Sequence, residues 1–195
     1  MIFKDVIIGA TSSDVVPINK IELQARVGNG VDLNDSVIQQ CLHSFKENVT
    51  YRYAYVKVQF KCENGICYFD DEPVISSSLP RVFGDSKEVF LLSVTSGIGI
   101  DKLISKATIQ NSTTSYFLDA VASAGIESYI DYVTKMICND LNVTKRFSPG
   151  YGDFPIEFQQ YLLKRVSAKE NLGIILSDDY LMIPTKSITA VIGIK

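Results

Sequence analysis

A single hairpin signal does most to limit what this chain can fold into. Residues 51–60 read Tyr-Arg-Tyr-Ala-Tyr-Val-Lys-Val-Gln-Phe, rich in the aromatic and β-branched types that suit a pleated strand, and Asn64-Gly65 follows just before Ile66–Phe69. An Asn-Gly pair readily takes the positive φ angles of a tight turn, so the two runs are predicted to be antiparallel partners. Glu88–Thr95 reads as a buried strand, and 173–176, 181–183 and Ser187–Ile194 read as three short strands separated by polar turns. No regular β-α-β alternation is present. The fold class is therefore α+β, a bent or twisted antiparallel sheet with helices packed on it.

The helical signals are periodic. Asn34 or Asp35 can cap a helix carrying Val37, Ile38, Cys41, Leu42 and Phe45 on one face and ending near Asn48. His43, the one histidine, lies on this helix and reads as a surface or packing residue. Residues 76–83 predict a short helix with Pro80 in its first turn. Thr95-Ser-Gly-Ile-Gly leads from a strand into a helix over 100–107, but the third glycine and the Gly-Lys-Ser/Thr of phosphate-binding turns are missing, which argues against a nucleotide site there. The longest helix is expected over 113–140. Ala120, Ala122, Ala124 and Gly125 make its middle narrow, open to a close neighbour or a ligand, and Glu127 follows as a solvated helix carboxylate or a ligand contact. Residues 1–30 read as an irregular arm with one strand around 20–26.

Composition sets the outer bounds. A chain of 195 residues, 46% hydrophobic, can bury one substantial core, so 1–195 reads as a single domain in which 1–50 is the least legible part. Net charge is −3 with both signs interspersed, which lacks the basic footprint that nucleic-acid binding needs. The N-terminal apolar run is too short for a signal peptide and no run reaches the roughly 18 residues of a membrane span, so no membrane association and a cytoplasmic location are expected. Cys41, Cys62, Cys67 and Cys138 form no C-x-x-C pair. Cys62 and Cys67 flank the hairpin turn and could bridge if oxidised, although packed, reduced thiols are the expectation in a reducing compartment.

Chemistry concentrates at 146–155, Arg-Phe-Ser-Pro-Gly-Tyr-Gly-Asp-Phe-Pro. Pro149 restricts Ser148, and Gly150 and Gly152 permit backbone conformations closed to other residues, so the segment is an ordered loop. It holds the guanidinium of Arg146, the ring of Tyr151 and the carboxylate of Asp153, with Gly150 small enough to let a ligand reach the main chain. A guanidinium can grip a carboxylate through two hydrogen bonds and an aromatic face attracts a cation, so the set suits a zwitterionic or cationic small molecule. Pro-Gly-Tyr is equally an ordinary turn tripeptide. Pro155 is placed to begin a helix over 156–167, for which Asp153 is the expected cap.

Arg-x-x-Pro-Gly-Tyr with a proline four residues on, lying between two helices and followed by Pro-x-Lys-Ser at 184–187, resembles the activation domain of cobalamin-dependent methionine synthase, in particular its short free-standing form. The likeness runs from about Val89 to the end and takes in the Thr-x-Gly step at Thr95. It implies binding of S-adenosylmethionine and reductive methylation of oxidised cobalamin carried by a separate corrinoid-dependent methyltransferase, with flavodoxin or another reductant as electron donor. It also implies a site. Arg146 would hold the ligand carboxylate and Glu127 its ammonium. Pro149, Gly150 and Tyr151 would line the pocket, and the backbone at Ile188 and Thr189 would lie beside the nucleoside. Asp153 stands where longer members carry other residues and is the weakest member of the set. The activated methyl belongs to the ligand and the nucleophile to reduced cobalt, so such a protein need only bind, orient and desolvate. Ile188 and Thr189 replace two aromatics of the longer members, and the chain has no Trp for their Asp-Trp. Those departures carry the alternative, a non-catalytic docking or regulatory module for a corrinoid protein.

Overall fold

The computed structural model describes residues 6–195. The sheet is built around β2 (Tyr51–Glu63), which is long enough to serve two partners along one edge. β1 (Ile7–Thr11) pairs with its first half and β3 (Ile66–Phe69) with its last residues, while β5 (Glu88–Thr95) runs along the opposite edge. β4 (Glu72–Ile75) adds outside β3 and β8 (Ser187–Ile194) outside β5, all antiparallel. β6 (Ile175–Leu176) and β7 (Met182–Ile183) form a separate short ribbon. The expected α+β architecture is therefore the observed one.

The predicted hairpin turn has Asn64 and Gly65 at φ 51° and 81°. Its register sets Cys62 directly opposite Cys67, and the two form a disulfide, which corrects the expectation of separate thiols there. The other two cysteines, Cys41 and Cys138, are free and buried as expected.

Alternation along the strands buries both faces of the sheet. Tyr51, Phe90, Leu92, Val94, Ala190 and Ile192 face a layer of α1 (Lys20–Val27), α2 (Ser36–Asn48), α4 (Ile98–Gln110) and α5 (Ser112–Ile137). Ala54, Val56, Val58, Leu91 and Val191 face α3 (Ser78–Phe83), α6 (Phe158–Arg165) and α7 (Ala168–Leu172). The strand expected around 20–26 is instead α1. Asn19 caps it by accepting hydrogen bonds from the Ile21 and Glu22 amides at 2.9 and 3.3 Å, and Leu23 and Val27, four apart, reach the core. A window this short gave helical spacing only two buried positions to register in.

The narrow middle of α5 admits a neighbouring element. A Cβ on Gly125 would lie 2.4 Å from the Phe45 ring of α2. Tyr51 of β2 donates its hydroxyl to the Gly125 carbonyl at 3.0 Å and stacks on Tyr129 with ring centroids 4.1 Å apart. No described helix is long and apolar enough to cross a membrane.

Candidate functional site: a cavity at the edge of β8

β8 is an outer strand, and its far half is covered by the segment that follows α5. Phe147 exchanges main-chain hydrogen bonds with Val191 at 3.0 and 2.9 Å, and the Thr144 amide donates to the Gly193 carbonyl at 2.9 Å. The covering chain turns away at Pro149, which has no N–H to continue a ladder. Residues 187–189 are thus left without a strand on that edge, and the two-residue alternation directs the main-chain groups of Thr189 the same way as those of Val191. Beside them lies a cavity of about 310 Å³, lined by Glu127 of α5, the loop residues Arg146 to Pro149 and Tyr151, Gln159 of α6, Met182 of β7, and Ser187, Ile188 and Thr189 of β8. That volume sits at the lower end of small-molecule sites.

The loop is held from behind. Gly150 takes φ +90° and donates its amide to the Phe154 carbonyl at 2.8 Å, while Tyr151 and Phe154 close turns on Ser148 and Tyr151. Phe154, buried, stacks parallel between Phe147 and Phe69 at 6.0 and 6.2 Å, tying the loop to the core beneath α3. Asp153 does not cap α6, whose first regular residue, Phe158, comes two positions later than expected. Its carboxylate instead reaches α3, accepting from the Ser76 hydroxyl at 2.6 Å, the Ser77 amide and hydroxyl at 2.7 Å each, and the Ser78 amide at 3.0 Å. Those bonds hold its pKa far below the usual carboxylate range, Ser76 contributing most and Ser78 and Ser77 next. Gly152 is in the left-handed region at φ +57°, so the chain turns Asp153 away from the helix that follows it.

The charged groups come from α5 and the loop. On α5, Asp119, Ser123, Glu127 and Asp131 recur every four residues and so share one face. Lys186, just before β8, pairs with Asp119 at 2.8 Å and donates to the Ser123 hydroxyl at 2.9 Å. Arg146 takes the next two: its Nη2 lies 3.7 Å from Glu127 and its Nη1 2.8 Å from Asp131. The Asp131 oxygen is close but off the N–H direction, so Nη1, which is shielded from solvent, makes an ion pair without a hydrogen bond.

The floor is polar and buried. Gln159, 4% exposed, donates from Nε2 to the Tyr180 carbonyl at 3.1 Å and accepts at Oε1 from the Thr189 hydroxyl at 3.2 Å. Ser187 donates to the Pro184 carbonyl at 2.7 Å, and its hydroxyl oxygen lies 2.9 Å from that of Thr95. Ile188 turns the other way, toward the α5 layer.

Of the residues singled out in the sequence, Arg146, Glu127, Pro149, Tyr151, Ile188 and Thr189 come together around this cavity. Tyr151, 67% exposed, stands at its rim. Gly150 and Asp153 do not line it. The space facing the missing Gly150 side chain is taken by Ile156, whose Cδ1 would lie 3.0 Å from a Cβ there, so that glycine serves the turn. Sequence reasoning missed Gln159, Ser187 and Asp131. Asp131 carried a readable signal, its four-residue spacing from Glu127; Gln159 carried none, being one of two adjacent glutamines on a short helix.

No family profile matches the chain, and no curated protein does. Among solved structures, the MetH reactivation domain bound to AdoHcy superposes over 97% of this chain and 78% of its own, with a TM-score of 0.70 at 12% sequence identity. The fold is that of the MetH reactivation domain. The likeness spans both helical layers, including the N-terminal part for which the sequence carried least signal. At this identity the MetH reactivation domain informs the fold, and the cavity beside β8 rests on its own residues.

Proposed function

We propose that this protein binds S-adenosylmethionine in the cavity beside β8 and supports reductive methylation of oxidised cobalamin on a separate corrinoid-dependent methyltransferase such as methionine synthase, with flavodoxin or another reductant supplying the electron. The observation that carries the reading is the meeting, around one cavity, of Arg146, Glu127 and the open edge of β8, on a fold whose solved neighbour holds AdoHcy. Arg146 and Glu127 present opposite charges 3.7 Å apart, and an amino-acid zwitterion offers the complementary pair, carboxylate to Arg146 and ammonium to Glu127. Tyr151 at the rim offers an aromatic face to a sulfonium. The methyl is already activated and the nucleophile is the partner's cobalt, so these side chains bind and orient the ligand and exclude water from its methyl.

Calorimetric titration with S-adenosylmethionine tests the reading, run beside Arg146→Ala. Saturable binding that weakens roughly tenfold to a hundredfold in the variant is expected, the range for losing a charge-assisted contact. Binding unaffected by the substitution would place the ligand elsewhere. A second reading, a docking module without productive ligand chemistry, is favoured by the existing pairing of Arg146 with Glu127 and Asp131 and by Ile188 and Thr189 in place of aromatics. Absence of saturable binding in the wild-type protein would select it.

A further inference from the structure

Gln159 and Thr189, 4% and 3% exposed, are the least accessible polar side chains on the cavity wall. The Tyr180 carbonyl can only accept, so Nε2 must face it, and Oε1 is thereby turned to the Thr189 hydroxyl, which donates. The amide cannot reverse without setting two acceptors against each other. Each end is half used: a primary amide has two N–H donors and an oxygen that accepts twice, so one N–H and one lone pair remain. In a position this buried, capacity that meets no partner is costly, and a ligand that engages both ends gains accordingly.

We infer that Gln159 reads the nucleobase of the ligand and selects adenine. This rests on the cavity being the S-adenosylmethionine site. Adenine presents an amino donor next to a ring-nitrogen acceptor, which complements the remaining lone pair and N–H of a glutamine amide. Hypoxanthine, with a carbonyl in place of the amine, presents an acceptor where Oε1 needs a donor. A freely rotating glutamine could flip to suit it; Gln159, locked by the Tyr180 carbonyl, cannot. Selection thus comes from a hydrogen-bonded amide, and Thr189 acts as a positioning residue that fixes Oε1.

The test is calorimetric titration with S-adenosylhomocysteine and with S-inosylhomocysteine, which differ only at the base, against wild type, Gln159→Met and Arg146→Ala. Wild type is expected to favour the adenosyl ligand by roughly tenfold or more, the discrimination of one bidentate amide–adenine pair. Gln159→Met should bring that ratio close to unity, whereas Arg146→Ala should weaken both ligands and preserve it. Equal wild-type affinity for the two ligands, or an unchanged ratio in Gln159→Met, would overturn the inference and leave the site assignment standing. No binding of either ligand by wild type would overturn both. Should Gln159→Met fail to fold, the wild-type ratio and Thr189→Val, which removes the hydroxyl that fixes Oε1 and should lower the ratio, decide the matter.

Discussion

Arg146 shows how a residue legible in a motif acquires its chemistry from neighbours that are not. In the loop it is a lone guanidinium; in the fold it stands between two carboxylates of α5, Glu127 and Asp131. A ligand carboxylate arriving at Arg146 must compete with Asp131, whose side chain is 55% exposed and therefore holds on weakly. Asp131→Asn is accordingly expected to tighten S-adenosylmethionine binding by up to about fivefold, the scale of one exposed ion pair. Calorimetry gives the sign directly, and a weaker complex would mean that Asp131 steadies Arg146 instead of competing for it. Glu127 could be singled out only through resemblance. As a sequence position it is one helix carboxylate among several, and what distinguishes it is the phase of α5 relative to a loop nineteen positions downstream.

At the scale of elements, two joints hold the site. The first ties the loop to α3 through Asp153. The unfolded chain takes up a proton on this carboxyl at the ordinary value near 4, the folded protein only at much lower pH, so the stabilisation is complete above about pH 4 and drains away as pH falls below it. Asp153→Asn should therefore lower stability at neutral pH and flatten the acid limb of the stability curve, read from urea midpoints across pH 2.5–7. An acid limb as steep as wild type would assign that limb to other carboxylates. The second joint is the crossing of α2 and β2 over Gly125. An added methyl would meet the buried Phe45 ring at 2.4 Å, so Gly125→Ala is expected to destabilise by about 1–3 kcal/mol through overpacking. A urea midpoint unmoved by this change would show that Phe45 can swing aside freely. The sequence marked this stretch of α5 as narrow but left open whether a neighbouring element or a ligand occupied the space.

Across the whole molecule, the cavity gathers parts from both sides of the sheet: α5 from one helical layer, α6 and the anchored loop from the other, with the edge of β8 between them. A ligand there bridges the layers and stabilises only the folded chain. Saturation at about 100 times the dissociation constant should add roughly 2.7 kcal/mol and raise the melting temperature by about 5–10 °C. Scanning calorimetry with and without S-adenosylmethionine checks this, and a melting temperature that does not rise would argue against binding to the native fold.

By itself the sequence determined whatever depends on near neighbours. The hairpin at Asn64-Gly65, the β-rich run of β2 and the buried run of β5, the helical faces of α2 and α5, and the ordered Pro149-Gly150 turn all follow from steric and periodic rules that act within a few residues. Tertiary structure decided what depends on distances across the chain. It sent Asp153 to an α3 some 75 residues earlier, made 20–27 a helix by giving Leu23 and Val27 a core to enter, and left the edge of β8 open at 187–189. Burial and charge pairing fall off over a few ångströms, and which groups come that close is a property of the packed layers, invisible in their order along the chain.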